Sequence, residues 1–328
     1  MPMVATVRGP VDAAALGTTL MHEHVFVLNT EILQNYGGAY WDEEERVADA
    51  VDKLRALRAR GVDTIVDPTV LGLGRYIPRI QRINADVDIN IIAATGLYTY
   101  NDIPLFFHYR GPGTALDGPE FMAEMFVDDI RTGIAGTGVR AAFLKCCVDA
   151  QGLTPGVDRV CRAVALAHRE TGAPITVHTN AHERSGLLAL QVFKEEGVDL
   201  TKVVVGHSGD TNDLDYLKEL MDSGAIIGMD RFGLDLYNST ADRVATIATL
   251  AGQGYADRMV LSHDAACFMD YFPTPETIAA LNATIPNWVY THIHDDVLPA
   301  LRELGVDDGA ITAMLVDNPR RYFSGGTH

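Results

Sequence analysis

Met21-His22-Glu23-His24-Val25 decides how the rest of this chain is read. The stretch closes a predicted first strand over residues 18–24. Two histidines two residues apart on a strand point to the same side, because side chains alternate. On a helix the same pair would diverge by roughly 200° and could not share a metal ion. A lone His-x-His is more often ordinary packing than function, so its meaning depends on what the rest of the chain brings to the same place.

Outward from that stretch, short β-rich apolar runs alternate with longer amphipathic ones. Further strands are predicted at 64–68, 89–95, 140–146, 174–178, 202–207, 225–230 and 258–264. Helices are predicted near 43–60, 74–84, 118–133, 156–171, 183–196, 211–222, 239–253, 287–304 and 307–317. Thr154-Pro155 reads as a cap with proline at the first helical position. Ser239 with Asp242 resembles a capping box, and Gly61, Gly172, Gly197 and Gly305 stand where helices should stop. Near-continuous apolar strands such as Ile89-Asn90-Ile91-Ile92-Ala93-Ala94 suit a sheet buried on both faces.

Eight βα units in series point to an α/β fold, a (β/α)8 TIM barrel, as a single domain over residues 1–328. The rival, a doubly wound open sheet, carries a Gly-rich phosphate loop after its first strand, which Gly72-Leu73-Gly74 does not supply. A barrel needs about 250 residues, so roughly 80 of the 328 are extra. They fall mostly in 25–42, 99–117 and 265–286. Each segment follows a strand and therefore belongs to the C-terminal face, where such barrels do their chemistry.

Composition narrows the partners. The formal net charge of −18 repels phosphate backbones and anionic lipid, which argues against nucleic acid and membrane surfaces. Cys146, Cys147, Cys161 and Cys267 form no CxxC pair and read as reduced thiols of a cytoplasmic protein. The opening residues show no signal-peptide pattern, and no apolar run approaches the roughly 18 residues of a membrane span.

The strand ends carry the chemistry. The first strand gives His22 and His24, the fourth Lys145, the fifth His178, the sixth His207 and the eighth Asp264. Imidazoles and a carboxylate with no thiolate suit two borderline divalent ions: zinc first, with cobalt, iron and manganese fitting the same ligands. Lys145 is the odd member, since an ammonium cannot ligate. Beside a divalent ion its pKa should fall, and the neutral amine can add CO2 to become a carbamate with one oxygen for each ion.

These motifs resemble the amidohydrolase superfamily, and specifically its phosphotriesterase-like lactonases. The resemblance runs from Gly17-Thr18-Thr19-Leu20-Met21-His22-Glu23-His24 through Val204-Val205-Gly206-His207-Ser208-Gly209-Asp210 and Asp230-Arg231-Phe232-Gly233-Leu234-Asp235 to Asp317-Asn318-Pro319-Arg320-Arg321-Tyr322-Phe323. It implies a buried ion held by His22, His24 and Asp264, and a more exposed ion held by His178 and His207. Carboxylated Lys145 and a hydroxide would bridge them. It also implies that Tyr98 and Arg231 line the pocket, with Tyr271 near the place of an aromatic in the last loop, and that the protein is a homodimer.

Asp264 is expected to orient the hydroxide and shuttle its proton. Tyr98 either donates a hydrogen bond to substrate or packs. Arg231 positions loops through nearby carboxylates in preference to touching substrate. Phe268, Met269, Tyr271, Phe272, Pro273, Ile278 and Leu281 make the 265–286 loop apolar. Either it packs on the barrel or a second subunit, or some of these residues, Phe268 and Tyr271 among them, line a channel for an apolar tail. The expected activity is lactone opening, with N-acyl-homoserine lactones as substrates (quorum quenching) and a weaker phosphotriesterase activity. The alternatives are a primary phosphotriesterase (aryldialkylphosphatase) and a silent metal-binding scaffold. His292-Ile293-His294 is read as surface, and His263 as core or a support for the site.

Overall fold

The structure, a computed structural model, describes residues 2–324. Its centre is a parallel sheet of eight strands: β1 (Thr19–Leu20), β2 (Thr64–Asp67), β3 (Asn90–Gly96), β4 (Phe143–Val148), β5 (Ile175–Thr179), β6 (Val203–Val205), β7 (Ile226–Met229) and β8 (Met259–Leu261). Each pairs with its neighbours in sequence order, and the Met21 N–H to Leu261 carbonyl bond, 3.3 Å, brings the last strand back to the first. This is the (β/α)8 barrel the alternation of runs implied. Helices α1 (Glu43–Arg58), α2 (Ile77–Ala85), α3 (Phe121–Arg131), α4 (Pro155–Thr171), α5 (Ser185–Glu195), α6 (Leu214–Asp222), α7 (Thr240–Gly252) and α8 (Leu298–Glu303) surround it.

Local chemistry sets the helix ends. The Thr154 hydroxyl accepts from the Val157 N–H, Pro155 opens α4, and Gly172 ends it in the left-handed region at φ 72°. Side-chain alternation along the strands sorts the core into two. Between strands and helices lies a large apolar layer that includes Leu144, Cys146 and Val148. Inside the barrel, Val66, Ile92, Phe143, Val204 and Val260 meet Tyr322 and Phe323 from the C-terminal helix. Lys145, two residues past Phe143, continues the inward face toward the site. Gly96 lies opposite it, where a Cβ would stand 1.9 Å from the Lys145 carbonyl oxygen, so only glycine lets β3 run this close. All four cysteines are free and buried. No helix among the described residues is long and apolar enough to cross a membrane.

Four expectations change. The first strand is not continuous over 18–24. Its regular ladder to β2 breaks after Leu20, although the Glu23 N–H still reaches the Val66 carbonyl at 3.0 Å, and His24–Val27 pairs with Ala266–Met269 as a two-stranded flap. The 265–286 segment is likewise not irregular loop throughout. Pro275–Thr284 is a helix whose start is fixed by a reciprocal Thr274/Thr277 capping box. The last predicted helix also runs on, through Asn318–Phe323. His292 is not a surface residue: it is buried, with Nδ1 2.8 Å from Asp296 and Nε2 3.2 Å from Thr240 of α7. Packing against α7 removes it from solvent, and its partner His294 is half-buried.

Candidate metal centre

His22, His24, Lys145, His178, His207 and Asp264 converge on one cleft of about 340 Å3 at the C-terminal ends of the strands. They arrive from five strands, three of them by breaking strand geometry. His22 stands where β1 has already ended, and His207 and Asp264 adopt left-handed φ values of 61° and 55°. A non-glycine residue tolerates that conformation only where its surroundings hold it.

What holds the rings also decides which nitrogen faces the cleft. Asp230 sits beneath them, its two oxygens 3.0 Å from His22 Nδ1 and 3.0 Å from His207 Nδ1. Asp149 stands 2.5 Å from His178 Nε2. The Thr69 hydroxyl donates to Asp67, 2.5 Å, and so accepts from His24 Nδ1, 2.7 Å. A carboxylate only accepts, so each of these ring nitrogens carries a proton, and in a neutral ring the opposite nitrogen keeps a lone pair. All four free nitrogens aim into the cleft. His178 Nδ1 and His207 Nε2 face each other at 2.8 Å, and His22 and His24 Nε2 lie 3.4 and 3.3 Å from Asp264 Oδ1.

Lone pairs held this close repel unless a proton or a cation lies between them. Burial lowers the pKa of His22, of His207 and of His178, the last to about 4, so protons are disfavoured there. Burial opposes charge on His24 as well, but Asp264 and Asp67 raise it to about 9. Burial also opposes ionisation of Asp264, yet the charges of His22 and His207, the His24 hydrogen bond and Arg231 hold it well below the usual carboxylate range. The donor set therefore fits divalent cations: His22, His24 and Asp264 could hold one, and the facing His178–His207 pair a second.

Lys145 fits the same account. It is almost wholly buried, and its ammonium nitrogen finds His22 Nε2 at 3.4 Å. Burial lowers its pKa, against the pull of Asp264 and Asp230. Arg231 bridges Asp264 Oδ2 (3.0 Å) and Asp210 Oδ2 (2.8 Å). Asp210 is gripped in turn by the fully buried Arg243, 2.8 Å away. The Tyr98 hydroxyl lies 3.3 Å from His178 Nδ1 and 3.0 Å from Tyr100, and burial keeps it protonated.

One pocket residue is misplaced by the sequence reading. Phe268 does not line the cleft. On the flap strand it turns under the Arg46 guanidinium, 4.1 Å from its ring, and beside Trp41, while its neighbour Met269 faces the cleft. Tyr271 does stand at the mouth, 58% exposed. Asp230, Asp149 and the Asp67–Thr69 pair went unnoticed as ring supports. Asp230 and Asp67 follow or end strands, so the rule that located the ligands would have found them too.

A barrel whose rim gathers imidazoles and carboxylates around an open cleft belongs to the class of metal-dependent hydrolases. Within that class, the chain is a member of the phosphotriesterase family, whose profile matches residues 2–323. A phosphotriesterase homology protein of Mycobacterium tuberculosis is 58% identical over 323 residues, 98% of either chain. An aryldialkylphosphatase of Saccharolobus solfataricus is 38% identical over 325 residues, 99% of either chain. The solved structure of the phosphotriesterase from Mycobacterium tuberculosis shares 57% identity and a TM-score of 0.96, over 99% of this chain and 100% of the other.

Proposed function

We propose that this hydrolase opens lactones, with N-acyl-homoserine lactones as its preferred substrates and aryl dialkyl phosphates as slower ones. The observation that carries the reading is the two-sided cleft. Its floor is polar, whereas Leu73, Met269, Phe272, Leu281, Ile285 and Trp288 make one wall apolar. A lactone ring with an acyl tail matches both sides, and each buried methylene contributes about 0.8 kcal/mol before ordering costs.

His22, His24 and Asp264 would hold one divalent ion, His178 and His207 the other, with Lys145 carboxylated between them. Zinc suits the donor set, and a homodimer is the assembly that the family resemblance supports. When bound, such a pair supplies a nucleophile at neutral pH and polarises the scissile group. The remaining chemistry belongs to the chain. Asp264 takes up the proton released on attack, and Arg231 keeps that carboxylate ionised and oriented. The Tyr98 hydroxyl, on the cleft wall, donates to the ester oxygen. The apolar wall holds the tail and excludes water.

Ring opening releases a proton, so a pH indicator follows every lactone in one assay, with metal analysis of the same sample. kcat/KM should rise with acyl length and exceed that for aryl dialkyl phosphates. A flat response would remove the tail site. Faster turnover of a phosphotriester would favour the reading suggested by the 38%-identical aryldialkylphosphatase. Asp264→Asn should lower kcat by orders of magnitude while metal is retained; a change in KM alone would make Asp264 a binding residue.

A further inference from the structure

Between the two histidines of the opening motif lies Glu23, whose side chain points away from the cleft. It is fully buried, as are Ser262 and His263. One oxygen accepts from the Ser262 hydroxyl (2.8 Å), the His263 N–H (2.9 Å) and His263 Nδ1 (2.6 Å); the other accepts from the Ala265 N–H (3.1 Å). All four donors come from residues 262–265, the turn that presents Asp264. We propose that Glu23 is a positioning residue: this buried carboxylate clamp sets where Asp264 stands against His22 and His24.

The need for a clamp follows from the barrel. At its closing seam the strand ladder is interrupted after the Met21–Leu261 bond and resumes where His24–Val27 pairs with Ala266–Met269; between the two the chain bends on both sides. Asp264 takes φ 55°, and its own N–H is spent on the His22 carbonyl at 3.0 Å. The neighbouring donors of a chain turning this way would be orphaned in a dry interior, which costs about 1–3 kcal/mol each. Glu23 receives them. It also stands between His22 and His24 in sequence, so one side chain joins the two strand ends that supply three of the site's groups. The Ser262 hydroxyl completes the link, accepting from the His22 N–H at 2.9 Å while donating to Glu23.

His263 carries the clamp outward. With Nδ1–H given to Glu23, its Nε2 accepts from the Ile293 N–H at 3.0 Å, and its carbonyl accepts from Trp288 Nε1 at 2.9 Å. Trp288 lines the apolar side of the cleft. The clamp therefore holds Asp264 and the rear of the apolar wall in one register.

The inference rests on the role given to Asp264, and the test separates the two. Glu23→Gln keeps the shape but removes the charge and sets an NH2 against an N–H donor. kcat should fall by about 10- to 100-fold, the range for groups that orient metal ligands, with KM and metal content unchanged. In an Asp264→Asn background the same change should cost nothing further, because both act through one carboxylate. In the metal-free protein, hydrogen exchange should quicken across 262–265 and at Ile293, whose N–H the clamp holds through His263. An unchanged kcat, a loss that multiplies with Asp264→Asn, or unchanged exchange at 262–265 would each overturn the proposal. Should Glu23→Gln fail to fold, Ser262→Ala removes one donor to Glu23 together with the acceptor of the His22 N–H, and a smaller loss of kcat, absent beside Asp264→Asn, is then expected; no loss overturns it. If Asp264→Asn itself keeps full turnover, the catalytic reading of Asp264 fails, and exchange at 262–265 alone decides the clamp.

Discussion

On the floor of the cleft, His22, His24, His178 and His207 each have one ring nitrogen pinned by an oxygen. On the wall opposite, Tyr271 stands more than half in solvent, and the helix Pro275–Thr284 buries none of its residues. The floor is built from strand ends whose rings are held by the carboxylates of Asp230 and Asp149 and by the Thr69 hydroxyl, partners whose loss is costly. The wall is built from a long insertion held at its base by Trp288 and Ile293 on His263. Chemistry needs fixed geometry, which strand ends supply; substrate choice tolerates a surface that can shift.

Changes to the floor should therefore be large and insensitive to substrate, and changes to the wall small and selective. Lys145→Ala should be the most severe, losing metal and activity together. A short carboxylic acid in solution should restore part of both, and normal metal content with normal turnover would remove Lys145 from the bridge. Asp230→Asn should come next. It removes the acceptor shared by two rings and should weaken metal binding by about 10- to 100-fold for every substrate, measured by competition with a chelator.

Leu281→Ala tests the wall. Leu281 is only partly buried, so KM for long-chain lactones should rise about fourfold, as for one methylene of lost contact, while aryl dialkyl phosphates should be unaffected. An equal loss for both would mean that floor and wall are not separable.

The smallest effect lies behind the wall. Burial, with His263 adding to it, lowers His294 to about 4 from the ordinary 6.5. The unfolded chain then binds more protons than the folded one between these values. The contribution is complete above 6.5 and is lost as pH falls toward 4. His294→Gln should flatten the fall in melting temperature across that window and leave turnover at neutral pH alone.

The barrel was legible because its signal is repeated eight times. Apolar runs and amphipathic runs must alternate if a parallel sheet is to be covered on both faces. The errors fall where that repetition stops. The flap His24–Val27 was merged with β1 because both runs are apolar, and only the pairing with Ala266–Met269 separates them. Composition alone places Phe268 in the cleft, yet its side depends on the register of that same pairing.

By itself the sequence determined that chemistry-bearing side chains gather at one end of the barrel, since His22, His24, Lys145, His178, His207 and Asp264 all stand at or near predicted strand ends. Tertiary structure decided which nitrogen of each ring is free, because that depends on Asp230, Asp149 and Thr69 standing behind the rings. It also decided that Glu23 faces away from its two neighbours and closes on residues 262–265. Strand ends are local features that a periodic pattern announces, whereas a buried carboxylate meets its donors only after some 240 intervening residues have closed the barrel.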